Sequence, residues 1–124
     1  MIRAMHSVAV FVHDIDRAIA FYRDTLGLAV TKQGSFGAEF LEQEPHLGVH
    51  PAVHPESKKL VGRHTGVTFH VPQLLHFCGL LHDRKVTFVS EPTKMGFGVM
   101  AMIADPDGNV FALWDDEVPE DEGA

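Results

Sequence analysis

Apolar residues at every second position mark the first readable segment of the chain. Over Ser7–Val12, Val8, Val10 and Val12 fall on one face and Ser7, Ala9 and Phe11 on the other, the period of a half-buried strand. At Asp14 the period changes. Ile15, Ala18, Ile19, Tyr22 and Leu26 recur at the three- and four-residue spacings of an amphipathic helix, with Asp14 as its N-cap and Gly27 as a left-handed stop. Shorter apolar runs at 28–32, 36–41 and 47–50 read as three further strands. Residues 51–63 carry two prolines, a glycine and several charges, the composition of a linker.

The same order then returns. Residues 66–71 alternate like the first strand, with Val67, Phe69 and Val71 on one face, and Pro72 and Gln73 open a second helix bearing Leu74, Leu75, Cys78 and Leu81. Strands are predicted at 86–89, 98–103 and 110–114. Laying Ser7 on Gly66 also brings Val12 onto Val71, Ile15 onto Leu74 and Tyr22 onto Leu81 without a gap, so the chain is a tandem repeat. The predicted class is α+β, two tandem βαβββ modules forming a cupped mixed sheet. One domain is expected over 1–116, with module one at about 5–52, a linker at about 51–63 and module two at about 64–116; residues 117–124 form an acidic, mobile tail. Each module covers one sheet face with its helix. The other face needs a facing module, from the same chain or a partner. Asp105-Pro-Asp-Gly-Asn109 lies between two apolar strands and reads as a hairpin turn, with Gly108 supplying positive φ.

Composition narrows the function classes. The 124 residues are 45% apolar and 22% charged, ordinary for one globular domain. No apolar run approaches the ~18–20 residues of a membrane span, and the apolar stretch after Arg3 is too short for a signal peptide, so a cytoplasmic location is expected. The single cysteine, Cys78, excludes an internal disulfide and sits on the second helix stripe as buried packing. The net charge is −7, partly in the tail, and no basic patch with interleaved aromatics is present, which argues against nucleic acid. Nine histidines, scattered along the chain, are the unusual feature.

Two segments carry a family resemblance: His13-Asp-Ile-Asp-Arg-Ala-Ile-Ala-Phe-Tyr-Arg-Asp-Thr-Leu-Gly-Leu28 and Ala104-Asp-Pro-Asp-Gly-Asn-Val-Phe-Ala-Leu113. Together they resemble the glyoxalase / bleomycin-resistance / extradiol dioxygenase superfamily, the vicinal oxygen chelate proteins, over 7–114. That fold hosts lyases, isomerases, dioxygenases, thiol transferases and drug-binding proteins, so the resemblance implies a fold more than a reaction. Metal-dependent members bind a divalent ion through a histidine early in each module and a carboxylate late in each. The resemblance aligns those positions with Ser7, Gly66 and Ala112, and the remaining one near Gly48. Serine, glycine and alanine are not usual ligands for Zn²⁺, Ni²⁺ or Fe²⁺, so no family metal is expected, with a divalent ion as the alternative. Sliding the first strand by one residue would make His6 a ligand. It would also turn Val8, Val10 and Val12 away from the helix, and is rejected for that reason.

The inward face keeps polar and aromatic groups. Ser7 and Phe11 lie on it, as do His46 and His50; His64, Thr68 and His70 alternate with Val67 and Phe69, and Trp114 falls two residues beyond Ala112. These eight are the ligand-binding candidates, able to stack a planar molecule and hydrogen-bond it. A lone strand histidine is more often a rim or satisfied core group than a ligand. His54, His76 and His82, with Glu39, Glu42 and Glu44, are placed toward solvent, and a non-family metal site from His46, His50 and His64 or His70 is a minor alternative. The leading expectation is a metal-free protein binding a small aromatic or cationic molecule. A metal-dependent lyase, isomerase or dioxygenase, an enzyme with His50 or His70 as general base, and a regulatory module are its alternatives. The resemblance also implies a homodimer.

Overall fold

The computed structural model describes residues 1–118. The element order is β1 (Ser7–Val12), α1 (Ile15–Ala20) running into a π-turn over Phe21–Thr25, then β2 (Val30–Gly34), β3 (Gly37–Phe40) and β4 (His46–Pro51). After α2 (Pro55–Lys58) come β5 (His64–His70), α3 (Leu74–Asp83), β6 (Thr87–Met95), β7 (Gly98–Ala104) and β8 (Val110–Asp115). The predicted repeat is present: two four-stranded mixed sheets, ordered β1-β4-β3-β2 and β5-β8-β7-β6. None of the described helices is long and apolar enough to cross a membrane. Of the acidic tail expected over 117–124, residues 119–124 lie outside the described residues.

The chain divides into two compact units. The first comprises Met1–Thr65 together with Asp105–Asn109, the second Gly66–Ala104 and the chain from Val110 onward. In the first unit β1 runs parallel to β4, pairing Ser7 with His46, Ala9 with Gly48 and Phe11 with His50. Antiparallel β3 places Glu39 beside Gly48 and Phe40 beside Leu47. Val10, Val12, Ala38, Phe40, Leu47 and Val49 are buried on one sheet face, with Ala18, Ile19 and Tyr22 of the helical segment. Asp14 caps α1, its side chain accepting from the Arg17 backbone N–H. The π-turn shifts the stripe, so Phe21 is buried beside Tyr22, at a ring separation of 5.2 Å.

In the second unit Leu74, Cys78 and Leu81 form the buried stripe of α3, at the i, i+4, i+7 spacing. They share a core with Val99, Ala101, Ile103, Phe111 and Leu113. Leu75, expected on that stripe, is 45% exposed, because one residue past Leu74 lies about 100° around the helix. Strand β6 extends beyond the predicted 86–89 to Met95. Its register against β7 shifts between Phe88 and Ser90 and again between Ser90 and Thr93, and Pro92 sits in the second irregularity of this edge strand, where no ladder donor is needed.

The Asp105–Asn109 turn does join β7 to β8, but it is also a hub of the first unit. Asp105 Oδ1 accepts from the backbone N–H groups of Asp107 and Asn109, and Asp105 Oδ2 from the Asn109 side chain. Asn109 in turn donates to Phe11 O at 3.0 Å and accepts from Gly62 N–H at 2.9 Å. Asp107 Oδ1 accepts from the Arg17 guanidinium and from His13 N–H.

Candidate functional site

On the first sheet, the face opposite the helix carries Ser7, Ala9, Phe11, Glu39, His46, Gly48 and His50, by strand alternation and the β1–β4–β3 register. Four of the eight candidates from sequence, Ser7, Phe11, His46 and His50, thus share one face. The small residues at its centre, Ala9 and Gly48, leave room for a larger neighbour. His50 takes that room: a Cβ at position 48 would stand 2.7 Å from His50 Nε2. The ring is held by Nδ1, which donates to Phe36 O at 2.8 Å. Phe11 and Phe36 flank it, with centroids 5.9 and 6.3 Å from the imidazole. Because Nδ1 carries the proton, the neutral ring keeps its lone pair on Nε2, over Gly48.

His46 is held the same way. Its Nδ1 donates to Leu41 O at 2.7 Å, and its side chain is only 14% exposed. Glu39 stands beside it, with Oε1 3.8 Å from Nδ1 and a side chain 17% exposed. Alternation alone did not find Glu39, whose place depends on the pairing of β3 with β4. Its position on the same face as His46, half-buried, corrects the expectation that it faces solvent.

The strand register is the predicted one, with Val10 and Val12 buried, yet His6 lies before β1 begins and is not bound by its alternation. Its ring meets His46 edge-on, with centroids 5.2 Å apart, and its Nδ1 lies 2.9 Å from Glu44 Oε2.

On the second sheet, Thr65, Val67 and Phe69 are half-buried, and Phe69 stacks on buried Phe111 at 5.3 Å. His64, Thr68 and His70 point to the opposite, exposed face. His70 Nε2 is 3.7 Å from Asp116 Oδ2. Trp114 pairs with Met100, and Ala112 with Met102, on that side of β7 and β8. The Trp114 indole lies against Gly98, contacts Phe97 at 5.5 Å and donates Nε1–H to Asp116 Oδ1 at 2.7 Å.

These features can be set beside known proteins. The family model for the Glyoxalase/Bleomycin resistance protein/Dioxygenase superfamily matches residues 4–113. The chain belongs to that superfamily. The protein YurT of Bacillus subtilis (strain 168) is 31% identical over 121 residues, covering 85% of this chain and 93% of YurT. Among solved structures, UcmS2 is 26% identical with a TM-score of 0.79, covering 92% of this chain and 98% of UcmS2. TnmS3, an antibiotic binding protein from Streptomyces sp. CB03234, is 24% identical with a TM-score of 0.79, covering 94% of this chain and 98% of TnmS3, a likeness of fold.

A divalent metal does not suit the residues that the resemblance implies as its ligand positions. Ser7 offers a hydroxyl, Gly66 a hydrogen and Ala112 a methyl group. Gly66 is further constrained by its backbone: φ is +76°, a conformation that L side chains rarely adopt.

Proposed function

We propose that this superfamily member binds a small, planar organic molecule on the first unit's open sheet face, without the metal of its enzymatic relatives. The observation that carries the reading is His50, an imidazole fixed by the Phe36 carbonyl, set over Gly48 and flanked by Phe11 and Phe36. Two aromatic surfaces supply dispersion and stacking, and Nε2 supplies one directional hydrogen bond. Gly48 makes room for the His50 ring, and Ala9 beside it is small. The antibiotic binding described for TnmS3, a protein of the same fold, agrees with such a role. The net charge of −7 favours a cationic ligand over an anionic one. Taken by itself, the second sheet offers His64, Thr68, His70 and Trp114 as further polar and aromatic candidates for ligand contact.

The superfamily resemblance extends the reading to a cytoplasmic homodimer with an isologous interface. The same His50 geometry also suits a general base, since a ring whose Nδ1–H is donated to Phe36 O keeps its basic lone pair on Nε2. That is the second reading. A fluorescence screen of planar aromatic compounds against chelator-treated protein tests both. Saturable binding that weakens tenfold or more in His50→Ala is expected. Binding unchanged in His50→Ala and Phe11→Ala overturns the site assignment, and turnover of a bound compound by wild type but not His50→Ala favours the base.

A further inference from the structure

At the start of β4, where His46 lies on the binding face, two residues from outside that face join it in a constellation that the family's metal positions do not account for. His6, Glu44 and His46 each present one ligand atom within 4.8 Å of the others. We infer that these three residues form a binding site for a divalent transition ion of the zinc or nickel type.

The backbone brings them together before any ion arrives. His46 N–H donates to His6 O at 2.8 Å, just ahead of the Ser7–His46 pair that begins the parallel β1–β4 ladder, so the backbone holds the two histidines close. Glu44 lies two residues before His46, and its carboxylate reaches His6 Nδ1 at 2.9 Å. The His46 ring already has one nitrogen anchored, as hydrogen-bond partners beyond the ligands anchor metal-bound imidazoles. Its Nδ1–H is spent on the Leu41 carbonyl, which fixes the ring plane and leaves the Nε2 lone pair as donor. Glu39, half-buried beside His46, adds a second carboxylate to the electrostatics of the site.

The adjustment that binding needs is small. Ligands about 2.0–2.2 Å from zinc in a tetrahedron stand about 3.4 Å apart. The residues that must move are the accessible ones, His6 at 68% and Glu44 at 44% side-chain exposure, while His46 at 14% stays as the anchor. Two imidazoles and a carboxylate suit a borderline ion and not Mg²⁺ or Ca²⁺, which take oxygen ligands. Three protein ligands leave a fourth position for water or a small donor molecule.

Untagged protein, stripped with chelator and dialysed, is titrated calorimetrically with Zn²⁺ and Ni²⁺, with bound metal counted by mass spectrometry. One equivalent is expected, with affinity falling tenfold or more in His6→Ala, in His46→Ala and in Glu44→Gln, and unchanged in His54→Asn on the linker. Replacing exposed His6 leaves the fold intact by circular dichroism, so its result stands even if His46→Ala does not fold. Less than a tenth of an equivalent on wild-type protein overturns the site, as does full binding in the His6→Ala/Glu44→Gln double variant. Because the ligand screen above is run without metal, failure of either proposal leaves the other standing.

Discussion

The hydroxyl of Tyr22, the sole tyrosine, donates to Asp105 Oδ2 at 2.6 Å, and both side chains are buried. This bond joins the helical segment of the first module to a loop 83 residues further along the chain. Tyr22→Phe keeps the packing and deletes one bond to a charged acceptor, so a loss of about 1.5–3 kcal/mol is expected. Asp105→Ala removes in addition the acceptor of Asp107, Asn109 and the Asn109 side chain, and should cost more. Urea unfolding of the two variants checks the order; equal stability of Tyr22→Phe and wild type sinks it.

The same tyrosine makes an alkaline prediction. Burial, and then the Asp105 carboxylate, push its ionisation far above the ordinary tyrosine value. A folded pKa raised in this sense stabilises the fold below the unfolded value of about 10, and the contribution declines as pH rises above it. Tyrosinate absorbance near 295 nm should therefore appear only together with loss of the far-ultraviolet circular dichroism. Ionisation that precedes unfolding contradicts the buried bond.

Cys78 should be inert in the native protein. Burial, with a smaller effect from Glu91, pushes its thiol up to about 11, and the side chain lies on the buried stripe of α3. Thiolate is the reactive form, so a disulfide reagent at pH 8 should label it slowly, at the rate of local opening. Full labelling within seconds of mixing would refute this. Labelling should become fast in denaturant.

Placing a histidine at Gly66, a ligand position implied by the superfamily resemblance, should be costly for a backbone reason. A Cβ at Gly66 meets nothing within 4 Å, so space is no obstacle, but φ is +76°. Gly66→Ala and Gly66→His should each lose about 1–2 kcal/mol, and by similar amounts, in thermal unfolding. A much larger loss for His than for Ala would place the difficulty in packing instead.

Much of the fold is readable from periodicity because burying one sheet face forces apolar residues to every second position in β1 and β5. The helix stripes follow for the same reason, and Tyr22 and Leu81, matched by the repeat, are both fully buried. The boundaries drift where burial is weakest: edge strand β6, carried past Pro92 by its irregular pairing, leaves no alternating pattern to count. For the site, alternation placed Ser7, Phe11, His46 and His50 on one face, but faces are not neighbours. That His50 lies over Gly48 depends on a side-chain rotamer and on the Phe36 carbonyl. That Glu39 reaches His46 depends on antiparallel register, and that His6 turns onto His46 depends on where β1 starts. None of these is a property of a single segment.

The inclusion of Asp105–Asn109 in the first unit has a bearing on how the two repeats can be divided. A chain cut after Thr65 would keep every strand and helix of module one, yet lose the acceptor for Tyr22 and the Asn109 groups that satisfy Phe11 O and Gly62 N–H. Such a fragment would lose the carboxylate that accepts from a buried hydroxyl, so the half-protein should be markedly less stable alone although its sequence looks self-contained. The duplication is visible in the residues, but gene halves of this protein are not interchangeable parts: the second copy has come to supply a piece that the first can no longer do without.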